Sequence, residues 1–160
     1  MLAQRLRTLF IGLLVIGSQA LNAQTVLYAG DVAVIGVNAN NQCGVWPSQS
    51  DEFSFVFFKP IVFGTTVDIT DCGYERLNPG QWGDTEGVFR ITRTGATLVA
   101  GNVVTVNVNG ATGAITCSPG WTVTVTGFVT GAGGHPNTFD LNSTGGDQII
   151  FCQGGTWVNP

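Results

Sequence analysis

Phe53-Ser54-Phe55-Val56-Phe57-Phe58, followed past Lys59-Pro60 and Gly64 by Thr66-Val67-Asp68-Ile69-Thr70, decides the fold of this chain. Phe53, Phe55 and Phe57 alternate with Ser54, Val56 and Phe58, while Val67 and Ile69 alternate with Thr66, Asp68 and Thr70. A repeat of two sends successive side chains to opposite faces of an extended backbone, so each run reads as a strand with one buried face. The same reading applies to Phe89 and Ile91 around Arg90, to Val104, Val106 and Val108 around Thr105 and Asn107, and to Trp121, Val123 and Val125 around Thr122 and Thr124. Val32 to Val37, Ala114 to Cys117 and Gln148 to Cys152 are further strand candidates.

Turn formers separate these runs: Asn78-Pro79-Gly80, Thr94-Gly95, Asn109-Gly110, Pro119-Gly120, Gly131-Ala132-Gly133-Gly134 and Gly145-Gly146. With 23 glycines and no apolar repeat at helical spacing after residue 23, the chain predicts an all-β fold. Roughly eight short strands punctuated in this way form an antiparallel β-sandwich of immunoglobulin-like type, with a barrel as the competitor. Asn109-Gly110 predicts a hairpin that turns the Val103 strand back on the Ala114 segment, and the Trp121 strand is expected to pair on as a meander.

The N-terminus sets the compartment. Arg5 and Arg7 precede the apolar run Leu9 to Ile16, and Ser18-Gln19-Ala20 and Leu21-Asn22-Ala23 are small-residue cleavage regions. This reads as an export signal over residues 1–23, with cleavage after Ala20 as the alternative. The run is shorter than the about 20 residues that cross a bilayer, so no membrane span is expected. Residues 24–160 are then one domain of about 137 residues, long enough for a real core. It keeps four basic residues, Lys59, Arg76, Arg90 and Arg93, against ten acidic ones, a balance that excludes nucleic acid as a direct partner and offers no patch to an anionic membrane. The chain ends on the strand-like Gly155-Thr156-Trp157-Val158-Asn159-Pro160, and further polypeptide is expected beyond Pro160.

Cys43, Cys72, Cys117 and Cys152 are an even set in an exported chain, which predicts disulfides. Zinc is the rival, disfavoured because no pair has C-x-x-C spacing. Sequence leaves three pairings open, and Cys43–Cys72 with Cys117–Cys152 is the expected one, since each bridge would staple neighbouring segments.

Ala29-Gly30-Asp31-Val32-Ala33-Val34-Ile35-Gly36-Val37-Asn38, Asp51-Glu52-Phe53-Ser54-Phe55-Val56, Phe63-Gly64-Thr65-Thr66-Val67-Asp68-Ile69-Thr70-Asp71, Glu86-Gly87 and Gly146-Asp147-Gln148-Ile149-Ile150 together resemble a β-sandwich module of exported and surface-attached bacterial proteins, similar to lamin-tail-type domains. Cys72 and Tyr74 stand where the usual pattern of that module has Asn and Trp. The resemblance implies an extracellular module of adhesion or scaffolding type, joined to downstream domains, and brings no catalytic activity with it.

Candidate chemistry is sparse. His135, the single histidine, lies in a glycine-rich turn before Pro136, no Gly-x-Ser-x-Gly elbow occurs, and one histidine cannot supply a zinc cluster. Asp68, Asp71, Glu75, Asp84 and Glu86 are oxygen donors of the kind calcium takes, and Asp71, Asp84 and Glu86 are its candidate ligands, although their spacing matches no calcium-loop pattern and a solvated acidic rim explains them too. Nothing in the sequence sets two carboxylates about 5–10 Å apart across a cleft for glycoside hydrolysis. Trp46, Tyr74 and Trp82 sit among turn residues, where an aromatic either covers the end of the sandwich or contacts a sugar ring or protein partner. No cofactor is implied.

The sequence therefore predicts a non-enzymatic module, secreted or at the cell surface after signal cleavage, of adhesion or surface-architecture type. Its expected partners are downstream domains of a longer polypeptide and a glycan or surface protein. The alternatives are a carbohydrate-binding accessory module of a secreted hydrolase and an accessory domain of an exported nuclease.

Overall fold

The computed structural model describes residues 23–39, 50–71, 81–82, 87–109, 113–124, 139, 141, 148–154 and 156–157, with 81–82 and 156–157 described by their backbone alone. The strands are β1 (Val32–Asn38), β2 (Ser50–Phe57), β3 (Thr66–Thr70), β4 (Gln81–Trp82), β5 (Val88–Arg93), β6 (Val103–Asn109), β7 (Ile115–Cys117), β8 (Trp121–Thr124), β9 (Ile150–Cys152) and β10 (Thr156–Trp157). One antiparallel sheet has the order β1-β2-β6-β7 and the other the order β8-β5-β3-β9, while β10 pairs in parallel with β4. The chain is an all-β antiparallel sandwich.

Alternation places the core. Phe53, Phe55 and Phe57 of β2 and Val104, Val106 and Val108 of β6 are buried from one sheet, and Val67, Ile69, Phe89 and Ile91 of β3 and β5 from the other. Phe139 and Leu141 join them, with Phe139 edge-on to Phe89 at 5.3 Å between centroids. Phe151 of β9 packs 4.8 Å from Phe55. Each such ring, removed from water, contributes on the order of 2–3 kcal/mol.

The β6–β7 hairpin forms as the sequence predicts, with Val108 opposite Ile115 and the Asn109 N–H donating to the Ala114 carbonyl at 2.9 Å. The meander does not continue. β8 leaves the first sheet and pairs with β5 in the second, Arg93 opposite Trp121 and Ile91 opposite Val123. The Gly120 carbonyl is the cause: it accepts from the Thr94 and Gly95 N–H groups at 2.9 and 3.0 Å and from Arg93 Nη1 at 3.0 Å, which fastens the Pro119-Gly120 turn to the end of β5. Arg93, only 8% exposed, also donates from Nε and Nη2 to the Ala96 carbonyl at 2.8 and 2.6 Å and lies over the Trp121 ring. Its buried charge is thus held by carbonyl dipoles and an aromatic face.

β3 differs from a half-buried strand. It lies between β5 and β9, and Asp68 and Thr70 on its outer face are as buried as Val67 and Ile69 on its inner face. Asp68 survives there because Arg90, directly opposite on β5, forks onto it at 2.7 Å (Nε to Oδ1) and 2.9 Å (Nη2 to Oδ2). Thr70 is satisfied by donating to the Gly87 carbonyl at 2.7 Å.

Cys117 and Cys152 carry free thiols, so the expected Cys117–Cys152 bridge is absent. Topology explains this. Cys117 is in β7, at the edge from which the chain crosses to β8, and Cys152 is in β9, at the far edge of the sheet that begins with β8. Three strand spacings of about 4.8 Å separate β8 from β9, well beyond the roughly 4.4–6.8 Å between the Cα atoms of a bridged pair. Cys43 and Cys72 lie outside the described residues.

Candidate functional site

The lateral side of the sandwich opposite the β7–β8 crossover is closed by a strap, residues 24–31, rather than by a strand. Side chains stitch it down. Gln24 Nε2 donates to the Thr66 carbonyl and hydroxyl, the Thr25 N–H donates to Thr65 Oγ1 at 2.9 Å, and the Val62 N–H donates to Thr25 Oγ1 at 3.1 Å. Gln153, just past β9, is the hub: its Oε1 accepts from the Leu27 N–H at 2.8 Å, and its Nε2 donates to the Thr25 and Thr66 carbonyls at 3.0 and 2.9 Å.

The strap ends in the turn Tyr28-Ala29-Gly30-Asp31, closed by the Asp31 N–H donating to the Tyr28 carbonyl at 3.0 Å. Gly30 supplies the φ of +92° that the third position of a type II turn requires. Asp31 Oδ2 accepts from the Tyr28 N–H at 2.7 Å and pairs with Lys59 Nζ at 2.6 Å. Lys59 Nζ also donates to the Val26 carbonyl at 3.1 Å and lies 4.9 Å from the centroid of the Tyr28 ring. The ring is held in place yet the residue is 72% exposed.

Between the strap and β9 runs a groove of about 420 Å³, lined chiefly by Leu27, Tyr28, Gly30, Val32, Phe151 and Cys152. Its electrostatics are quiet. The Lys59 hydrogen bond, helped by that of the Tyr28 N–H, holds the Asp31 carboxyl below the usual aspartate range. Burial, reinforced by the Asp68 carboxylate, pushes the Cys152 thiol up to about 12, so it is neutral at physiological pH. Burial likewise pushes Cys117 up to about 11.

Of the residues singled out from sequence, Asp71 is buried at the end of β3, where its carbonyl accepts from Gln148 Nε2 at 3.5 Å. Asp84 and Glu86, its proposed calcium partners, lie outside the described residues, as do Trp46, Tyr74 and His135. Trp82 is described by its backbone alone, in β4 opposite Trp157. Among the described residues, no group of three His, Cys, Asp or Glu side chains is placed to hold a metal, and no helix is long and apolar enough to cross a membrane.

Tyr28, Asp31, Lys59 and Gln153 are the residues that sequence reasoning missed. Tyr-Ala-Gly-Asp is legible as a turn, but what gives it a neighbour is Gln153, 126 positions from Leu27. No protein-family model, no curated protein and no solved structure matches this chain.

Proposed function

We propose that the chain is a non-catalytic extracellular module of an exported bacterial protein, of adhesion or surface-architecture type, which presents loops and edges on a stiff sandwich. The observation that carries this reading is how the buried polar groups are used. Asp68 with Arg90, Arg93 with the Ala96 and Gly120 carbonyls, and Asp51 Oδ2 with the Leu141 N–H at 2.8 Å are all structural bonds. Groups so committed hold a framework, whereas a catalytic acid or base must be available to substrate. Export is supported by the leader pattern of residues 1–23 and by Gln24, which follows the favoured cleavage site and already bonds to Thr66. Downstream domains of a longer polypeptide are the proposed covalent partners.

A carbohydrate-binding accessory role is the second reading, favoured by the exposed Tyr28 ring beside a groove. The experiment uses beads coated with residues 24–160 on surfaces bearing glycans or extracellular proteins. Retention of the beads with the coating chemically unchanged supports the module. Release of product from the coating overturns the non-catalytic reading, and retention on no surface overturns the adhesive one.

A further inference from the structure

We propose that the groove between the strap and β9 binds a neutral oligosaccharide, with a pyranose ring stacked on Tyr28 and a hydroxyl donating to Gln153 Oε1. The proposal rests on the reading of the chain as a binding module and names the ligand class.

Exposed tyrosines are ordinary on protein surfaces, but this one is fixed. Its N–H is held by Asp31, its ring is faced by the Lys59 ammonium, and that ammonium is itself tied to Asp31 and the Val26 carbonyl. A ring ordered before the ligand arrives loses little freedom on binding, the main saving open to a weak, shallow site. An aromatic face is electron-rich, so it attracts the slightly positive C–H groups of a pyranose face. The groove, at about 420 Å³, falls in the size range of small-ligand sites and matches one or two sugar rings.

Charge selects among ligands. Lys59 is the sole lysine of the chain and is already paired with Asp31, and the Cys152 thiol on the groove wall is neutral. Among the described residues no cation lines the groove to meet a phosphate, sulfate or sialic acid, and the ligand proposed is therefore uncharged. An apolar protein surface fits worse than a sugar, because covering Gln153 and the backbone of the Tyr28-Ala29-Gly30 turn in the groove wall would strip their water without replacing the lost hydrogen bonds. Sugar hydroxyls replace them.

The test is calorimetric titration of the mature chain with maltohexaose, cellohexaose, xylohexaose and N-acetylchitohexaose, with sialyllactose as the charged control. At least one neutral oligosaccharide is expected to bind, sialyllactose is not, Tyr28→Ala is expected to weaken binding about tenfold or more, and Tyr28→Phe is expected to keep most of it. Should Tyr28→Ala lower the melting temperature, NMR on tyrosine-labelled wild-type chain decides instead, since Tyr28 and Tyr74 are the two tyrosines. Perturbation of the Tyr28 ring supports the proposal, and perturbation confined to Tyr74 overturns it. Binding by no neutral oligosaccharide, or unchanged affinity in a folded Tyr28→Ala, overturns it as well. If coated beads still adhere to protein surfaces, the failure is of the groove alone. If adhesion is lost too, the module reading fails with it.

Discussion

Gly120→Ala attacks the joint where the chain changes sheets, and the structure separates its effect into two parts. The first is backbone: Gly120 has φ +81°, a region that costs an L-residue with a Cβ about 1–2 kcal/mol. The second is space: a Cβ on Gly120 would stand 2.7 Å from Arg93 Nη1 and 3.2 Å from its Cζ. The guanidinium must then move off the Gly120 carbonyl, and a hydrogen bond to a charged donor contributes about 1.5–3 kcal/mol. Together these destabilise by about 2.5–5 kcal/mol, a large share of the 5–15 kcal/mol typical of a domain. Two variants isolate the parts. Gly101→Ala has the same strain, φ +83°, with nothing within 4 Å of its Cβ, and should lose only about 1–2 kcal/mol. Gly95 lies outside the left-handed region, but a Cβ there would stand 2.9 Å from Arg93 Nη2 and 3.1 Å from the Gly120 Cα, so Gly95→Ala should lose only the contact part. Urea unfolding followed by circular dichroism measures all three. The reasoning is refuted if Gly120→Ala is no more destabilising than Gly101→Ala, because the Arg93 joint would then contribute nothing.

Asp68→Asn removes the carboxylate that Arg90 forks onto in the buried centre of β3, and urea unfolding should register a loss of about 1–3 kcal/mol, the lower end reflecting the partly exposed Arg90. Native Cys117 and Cys152 should resist iodoacetamide at pH 8 and label on unfolding, as read by peptide mass spectrometry; their folded pKa values of about 11 and 12 also mean that stability present below the ordinary thiol value of 9.0 falls as pH rises through that range. The Asp31 carboxyl is shifted the other way, so its contribution is present above the ordinary value of 3.8 and is lost as pH falls through the lower folded value; the stability difference between wild type and Asp31→Asn should therefore be constant near neutrality and shrink in acid.

The strands were legible because alternation is local. Phe53, Phe55 and Phe57, or Val104, Val106 and Val108, declare their buried face within six residues, and that face is the one the core uses. What alternation cannot declare is which sheet receives a strand. Trp121-Thr122-Val123-Thr124 reads correctly as a strand, but its partner is chosen by the Gly120 carbonyl meeting Thr94 and Gly95, a contact between two distant turns. Asp68 misleads for a related reason: a polar residue between Val67 and Ile69 reads as solvated, and only the neighbours of β3 on both sides make it buried. The cysteine count carries information about compartment and none about distance, which is how Cys117 and Cys152 fall on opposite edges. The Tyr28 site is least legible of all, since it depends on Lys59 and Gln153 arriving beside one short turn.

The two lateral sides of the sandwich are closed by different means, and the difference accounts for where the groove lies. On the β7–β8 side the chain itself crosses between the sheets, and Arg93 bolts the crossing to β5. On the β1–β9 side no strand crosses among the described residues. β9 has three residues against the seven of β1, so it cannot cover the length of its neighbour across the layer. Val34 and Val37, which share a face with the buried Phe55 and Phe53, consequently remain 38% and 55% exposed. The strap fills part of that gap, but it is anchored by the side chains of Gln24, Thr25 and Gln153 instead of a continuous ladder, and a segment held at points leaves space between them. The groove is that space. A binding site here requires no distortion of either sheet: the layers supply its walls, and the strap, which belongs to neither sheet, supplies the aromatic ring.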